Sequence, residues 1–265
     1  ASGLPYADVY KSMARGAGNE RKSKGASARN GIHTSRKWFK DYMAANYPGW
    51  KSPMGAGGGL VLGGGGMARG HAHDLETNSD CKVTAVCDID VGAFAHWPDT
   101  TSYLAEQHPN WTHYNIPAAF FDAVDAVIVC TPHSEHAWGI QESLQAGKHV
   151  LSEKPMTLSV HVAECAIRTA KEKNLLLAVA HQKHGESLFK KARELLFADE
   201  IGEVRFVRAY CTHDATGAHA GGWRADPLIC GRGGHAADTG SHIIAATLWL
   251  ADLMPAAVPD FIPYA

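Results

Sequence analysis

No two cysteines in this 265-residue chain are spaced as C-x-x-C, and no HExxH or comparable spacing occurs among its sixteen histidines. A structural metal site needs such clusters, so no metal is expected. The six cysteines, Cys81, Cys87, Cys130, Cys165, Cys211 and Cys230, are scattered. Several fall in apolar, strand-like runs, as Cys130 does in AVIVC, and read as buried free thiols of a reducing compartment. There is no secretory signal and no apolar run long enough to span a bilayer, so the expected location is the cytoplasm, without membrane contact. A charge excess of one sign is also missing: the formal net charge is −2. That argues against a dedicated nucleic-acid binder. Internal repeats are absent.

What is present begins with an uneven distribution of charge. Residues 1–58 hold 10 Lys/Arg against 3 Asp/Glu, and residues 59–265 hold 15 against 24. Within the basic part, GNERKSKGASARNG is polar and glycine-rich and reads as loop or disorder. SRKWFKDYMAANY reads as one amphipathic helix, and PMGAGGG as a joint. Residues 1–58 are therefore expected to form a basic, flexible appendage, and a chain that starts at Ala rather than Met to be processed or a fragment.

From Leu60 the pattern changes. GLVLG, KVTAVCD, AVDAVIVCT, HVLSEK and LLLAVAHQ are short apolar runs without polar alternation, as strands buried on both faces require. Between them, HSEHAWGIQESLQAG and SVHVAECAIRTAKEKN have helical spacing and end near Gly or Asn. This repetition predicts an α/β fold, a Rossmann doubly wound parallel sheet over residues 59–180. After about residue 181 the pattern is less regular. KHGESLFKKARELLFADEIG reads as helix, EVRFVRAYCTHD as a strand and HAADTGSHIIAATLWLAD as one helix. Residues 181–265 are expected to be an incomplete α+β substrate or oligomerisation domain.

In LVLGGGGMARGHA, Gly63-x-Gly65-x-x-Ala68 follows a predicted strand and opens a predicted helix. The first glycine permits the tight turn, the second lets the backbone approach a pyrophosphate, and the small third residue lets helix and strand pack closely. The helix amino terminus then offers free N–H groups and positive dipole to the phosphate. A glycine run alone also fits an ordinary loop. The context strengthens the cofactor reading, because KVTAVCD ends in Asp88, 25 residues after Gly63. A carboxylate there can accept from the adenosine ribose hydroxyls and would repel the extra phosphate of NADP, which favours NAD.

Two more strand ends carry chemistry. AVIVC runs into Thr131-Pro132-His133-Ser134-Glu135-His136, and HVLS runs into Glu153-Lys154-Pro155. Ligands of open α/β sheets bind at such carboxyl ends. There Lys154 can polarise a substrate hydroxyl, although read alone it also fits a surface turn. Asp238 and His242, four apart on the predicted helix, share a face beside an apolar stripe of Ile243, Ile244, Thr247 and Leu248. A carboxylate that orients an imidazole suits a general base for an alcohol proton, though a plain surface pair has the same spacing.

Taken in order, LVLGGGGMARGHAHDL, AVCDID, VDAVIVCTPHSEHA, LQAGKHVLSEKPMTLS, IGEVRFVRA, WRADP and GGHAADTGSHIIAATLWL resemble the glucose–fructose oxidoreductase and inositol dehydrogenase (Gfo/Idh/MocA) family over residues 59–253. Residues 1–58 are foreign to it. The resemblance implies that Gly63, Gly65 and Gly66, with Met67 at the helix start, hold the pyrophosphate, and Asp88 the adenosine ribose. Thr131, Pro132 and His136 would line the nicotinamide side, and Glu153 would contact the nicotinamide ribose. Lys154 would lie between nicotinamide and substrate, Asp238 and His242 would complete the catalytic set, and Trp223 and Arg224 would touch the substrate. The implied reaction is NAD(P)-dependent oxidation or reduction of a sugar, inositol or related polyol. An NAD-dependent glycosidase using transient oxidation, or an inactive NAD-binding module, are the alternatives. Full-length members are expected to form homo-oligomers through a second-domain sheet, most of which would be encoded after residue 265.

Overall fold

The computed structural model describes residues 58–76, 82–107, 114–211 and 222–252. All but the last residue of the expected appendage lies outside these residues. In chain order the elements of the first part are β1 (Gly58–Leu62), α1 (Gly66–Glu76), β2 (Lys82–Asp88), a 3-10 turn (Val91–His96), β3 (Thr101–Leu104), β4 (Glu106–Gln107), β5 (Tyr114–Asn115), α2 (Ala118–Asp122), β6 (Ala126–Val129), α3 (His133–Gln145), β7 (His149–Ser152), α4 (Val160–Glu172) and β8 (Leu177–Val179). Each predicted apolar run became a strand.

Six of these strands form one sheet in the order β3-β2-β1-β6-β7-β8, and β4 and β5 form a separate hairpin. Every pairing in the large sheet is parallel. The order reverses between β1 and β6, the point at which an open α/β sheet leaves a crevice for a ligand. Register aligns the carboxyl ends: Leu62 pairs with both Cys87 and Val129, and Val129 pairs with Ser152. The residues that follow, Gly63, Asp88, Cys130 and Glu153, therefore emerge along one edge.

Strand alternation puts Val127 and Val129 on one face with Leu62, Phe120, Ile140 and Leu144. It puts Ile128 on the other face with Ala68, Ala72, Val83 and Val86. Both faces are thus covered by helices, which is why the strands lack polar alternation. A Cβ on Gly139 of α3 would come within 2.7 Å of Leu62. Glycine there lets α3 lie directly on the sheet.

Residues 58–180 and 222–238 belong to one compact unit, and residues 181–211 and 239–252 to another. The first unit also holds a 3-10 turn (Trp223–Ala225), α6 (Pro227–Cys230) and α7 (Gly234–Asp238). The second holds a 3-10 turn (Gln182–His184), α5 (Ser187–Phe197) and α8 (Gly240–Ala251). In that unit α5 and α8 pack together around Arg193. Its guanidinium pairs with Asp252 at 3.0 Å and lies over the rings of Phe197 and Trp249 at 4.1 and 4.9 Å.

The structure corrects three expectations. Residues 203–211 form no strand, and Phe206 and Tyr210 are each 76 % exposed. Alternation defines a strand only where a neighbour supplies a hydrogen-bonding ladder, and no neighbour does so among the described residues. The single helix expected over 235–252 is two helices separated at Thr239. Because α8 starts anew at Gly240, its buried residues are Ala246 and Trp249, while Ile244 of the expected stripe is exposed. Finally, the cysteines are not uniformly buried. Cys87 and Cys230 are, Cys130 and Cys165 are partly so, and Cys211 is exposed.

Candidate active site

The glycine loop is built from backbone. Gly63 has φ +88, and a Cβ there would sit 2.9 Å from the carbonyl carbon and oxygen of Cys130. Only glycine combines that conformation with that approach. Around Gly65 and Gly66 the opposite holds, since a Cβ on either would meet nothing within 4 Å. This open space lies at the amino terminus of α1, whose first turn carries no acidic residue. An anion is favoured there by free N–H groups and the helix dipole. Ala68 is fully buried, which gives the close helix–sheet packing expected of the third motif position. Met67, beside the opening, is 53 % exposed. The loop therefore fits a dinucleotide pyrophosphate.

Asp88 closes the loop from β2. Its Oδ2 accepts from the Gly64 amide at 2.6 Å and its Oδ1 from the Asp90 amide at 2.9 Å. Trp97 donates its Nε1–H to the Gly64 carbonyl at 3.2 Å.

At the end of β6, Thr131 and Pro132 lead into α3, with Pro132 at the N-cap. His136, one turn into α3, is almost wholly buried. Its Nδ1 lies 2.7 Å from the Pro155 carbonyl and its Nε2 lies 2.8 Å from the Thr131 carbonyl. Burial holds its pKa below the usual imidazole value, against the opposing pull of those two carbonyls. His136 thus lies between the Thr131 and Pro155 carbonyls, donating to one of them when neutral, and both ring nitrogens face the protein interior.

The end of β7 carries the charged groups. Glu153 is buried and contacts His71 Nε2 of α1 at 2.8 Å, and its Oε2 accepts from the Lys154 amide at 3.2 Å. Burial pushes the Glu153 carboxyl up, but His71 and Lys154 outweigh it and hold the group below the usual carboxylate range. The Lys154–Pro155 peptide is cis. Lys154 Nζ donates to Asp238 Oδ1 at 2.5 Å and to the Asp238 carbonyl at 2.9 Å. Arg224 Nε donates to Asp238 Oδ2 at 3.0 Å, with its guanidinium over the Trp223 ring. His133 Nε2 lies 3.5 Å from Asp238 Oδ1, and the His133 Nδ1–H donates to the Cys230 carbonyl at 2.9 Å. The His133 hydrogen bond, then Lys154 and Arg224, hold the Asp238 carboxyl far below its usual range despite burial, so it stays ionised.

Lys154, Asp238, Trp223 and Arg224 are thus brought together, with Glu153 next to them. His242 lies on α8 in the other unit, where its ring meets His181 edge-on at 5.9 Å between centroids. Three residues of the first unit were not read from the sequence: His71, His133 and Trp97. Their partners lie 82, 97 and 33 residues away, and no local spacing signals such pairs. Among the described residues no group of three or more His, Cys, Asp or Glu is placed to hold a metal ion. No helix among them is long and apolar enough to cross a membrane.

Residues 59–181 match an oxidoreductase family described by its NAD-binding Rossmann fold, and residues 189–261 match the GFO/IDH/MocA C-terminal domain. The chain belongs to the Gfo/Idh/MocA family. Its fold is accordingly an NAD(P)-binding Rossmann fold. The scyllo-inositol 2-dehydrogenase (NADP(+)) IolW of Bacillus subtilis is 34% identical over 51% of this chain and 37% of its own length. The inositol 2-dehydrogenase of Rhizobium meliloti is 26% identical over 56% of this chain and 42% of its own length. Among solved structures, the WlbA dehydrogenase of Bordetella pertussis, in complex with NADH and UDP-GlcNAcA, superposes with a TM-score of 0.62 at 21% identity. It covers 72% of this chain and 54% of that one. The scyllo-inositol dehydrogenase of Lactobacillus casei with NAD(H) and scyllo-inositol gives a TM-score of 0.57 at 20% identity. It covers 74% of this chain and 56% of that one. The matched stretches thus span less than half the length of these two curated relatives and about half that of the solved structures.

Proposed function

We propose that this protein is an NAD-dependent dehydrogenase of a sugar, inositol or related polyol hydroxyl. The observation that carries the reading is the Lys154–Asp238 pair at 2.5 Å, held at the carboxyl edge of the sheet that also bears the glycine loop. A bound nicotinamide dinucleotide supplies the hydride acceptor or donor. The chain's own residues do the rest. An ammonium has three N–H groups. Among the described residues Lys154 donates only to Asp238, which leaves an N–H for a substrate hydroxyl. Ionised Asp238 keeps Lys154 in place, and Lys154 stabilises negative charge developing on the substrate oxygen. His242 is assigned the acid/base role implied by the family resemblance, taking or returning the hydroxyl proton. Trp223 and Arg224 are assigned to substrate contact.

Asp88 supports NAD over NADP. Its carboxylate is fixed by two backbone amides at the end of β2, where a 2′-phosphate would meet like charge. Some relatives are named for NADP(+), so this preference rests on Asp88 in this chain. A cytoplasmic location completes the proposal; self-association into a homo-oligomer is assigned to the full-length family member and not to this chain.

The test is a dehydrogenase assay of the chain against a panel of inositols and aldoses, with NAD and NADP in parallel. Reduced nicotinamide appearing with at least one polyol, and faster with NAD, is expected. Binding of cofactor with no turnover on any member of the panel would refute the assigned activity.

A further inference from the structure

We infer that Trp97 is a positioning residue for the phosphate-binding loop, clamping Gly64 so that the following amides stay aimed at the pyrophosphate. The inference rests on the dinucleotide-binding reading above. In the G-x-G-x-x-G/A pattern the residue after the first glycine has no required identity. Here it is Gly64, and its φ is not among the positive ones. A Cβ there would be tight: it would stand 3.1 Å from Trp97 Nε1, 3.3 Å from the Ala93 Cβ and 3.4 Å from Val86 Cγ2, so these neighbours would have to give by a few tenths of an ångström.

The same residue is fixed at both of its polar groups. Its N–H donates to Asp88 Oδ2 at 2.6 Å, and its carbonyl accepts from Trp97 Nε1 at 3.2 Å. Indole has a single donor, and this contact uses it. Trp97 is itself held firmly. The Asp90 side chain accepts from the Gly92 amide at 2.8 Å and caps the 3-10 turn Val91–His96. The Trp97 amide closes that turn on the Phe94 carbonyl at 2.9 Å, and Thr100 Oγ1 donates back to the Trp97 carbonyl at 2.9 Å. The ring is 6 % exposed and packs with Ala68, Ala72, Val83, Val86 and Ile128. A chain of local bonds thus runs from the end of β2 to the middle of the glycine loop.

Four consecutive glycines form a loop with large conformational freedom, and ordering it on binding costs affinity. A clamp on Gly64 removes part of that freedom beforehand. Its effect falls on ligands that carry a pyrophosphate, not on adenosine alone.

The experiment is calorimetric titration of NAD, ADP-ribose and adenosine into the chain and into Trp97→Phe, which keeps an aromatic ring and removes the N–H. NAD and ADP-ribose are expected to bind roughly 3- to 10-fold more weakly, as for loss of one neutral hydrogen bond, with adenosine unchanged within about twofold. Gly64→Ala is expected to weaken the same two ligands, and to do so less in the Trp97→Phe background, because the two changes share one contact. Unaltered NAD affinity in Trp97→Phe, or an equal loss for all three ligands, overturns the clamp. Should Trp97→Phe not fold, Gly64→Ala decides: a loss confined to the pyrophosphate ligands supports the clamp, and no loss or a uniform loss overturns it. If the unmodified chain binds no NAD, the dinucleotide reading itself is wrong and the clamp falls with it.

Discussion

At the carboxyl ends of β1 and β2 the proposed ligand groups are backbone amides of a glycine loop. At the end of β7 they are charged side chains, drawn from β7 and from residues 224 and 238. The first region is a cradle that needs glycine at Gly63, is open at Gly65 and Gly66, and is bonded by the Asp88 carboxylate at Gly64. The second is a cluster in which one buried carboxylate, Asp238, gathers Lys154, Arg224 and His133. Amides held in place by the fold suit binding, because they lower the cost of ordering the loop when the phosphate arrives. An ammonium locked by a carboxylate suits chemistry, because it meets charge that develops only in the transition state. The two regions should therefore be separable by mutation.

The largest separation is expected from Lys154→Met. Turnover should fall by about 10²- to 10⁴-fold, the scale of losing one electrostatic or acid–base group, while NAD affinity by calorimetry stays within about twofold. A parallel loss of NAD affinity would merge the two regions into one. Next, Gly63→Ala should lower NAD affinity by about tenfold or more, and stability by about 1–3 kcal/mol. A methyl at φ +88 is strained and meets the Cys130 carbonyl. Turnover at saturating NAD should change far less than in Lys154→Met, which single-turnover kinetics can check. Asp88→Ser should narrow the preference for NAD over NADP by about tenfold, or about 1.4 kcal/mol, in paired titrations.

How much of this was legible in the sequence differs between the same two regions. The cradle is local: strand, glycines and helix are contiguous, and KVTAVCD became β2 with Asp88 as its last residue. The cluster was legible only as separate pieces. Glu153-Lys154-Pro155 and Asp238 each stand out, but their meeting across 84 residues is a tertiary fact. The helix that suggested pairing Asp238 with His242 by spacing is divided at Thr239, and the bonds of Asp238 to Lys154 and Arg224 have no counterpart in local spacing. His71 and His133 were passed over because a histidine in a helix shows no sign of the distant group it contacts. The strand expected over 203–214 is not formed at 203–211, the part within the described residues, for a related reason, since alternation reports a face to bury and not a partner.

A smaller effect sharpens the cluster's electrostatics. The folded pKa of Asp238 is depressed, first by His133 and then by Lys154 and Arg224, so its contribution to stability is complete above the unfolded value of about 3.9 and is lost as pH falls below it. Thermal unfolding from pH 6 to pH 3 should show a steeper loss for the unmodified chain than for Asp238→Asn. Equal slopes would mean that the carboxylate gains little from its cationic neighbours.

The most direct test of the central claim is calorimetric titration of NAD and NADP into the unmodified chain. The account predicts stoichiometric binding of NAD, tighter than that of NADP. Absence of heat for both nucleotides, or tighter binding of NADP, would contradict it.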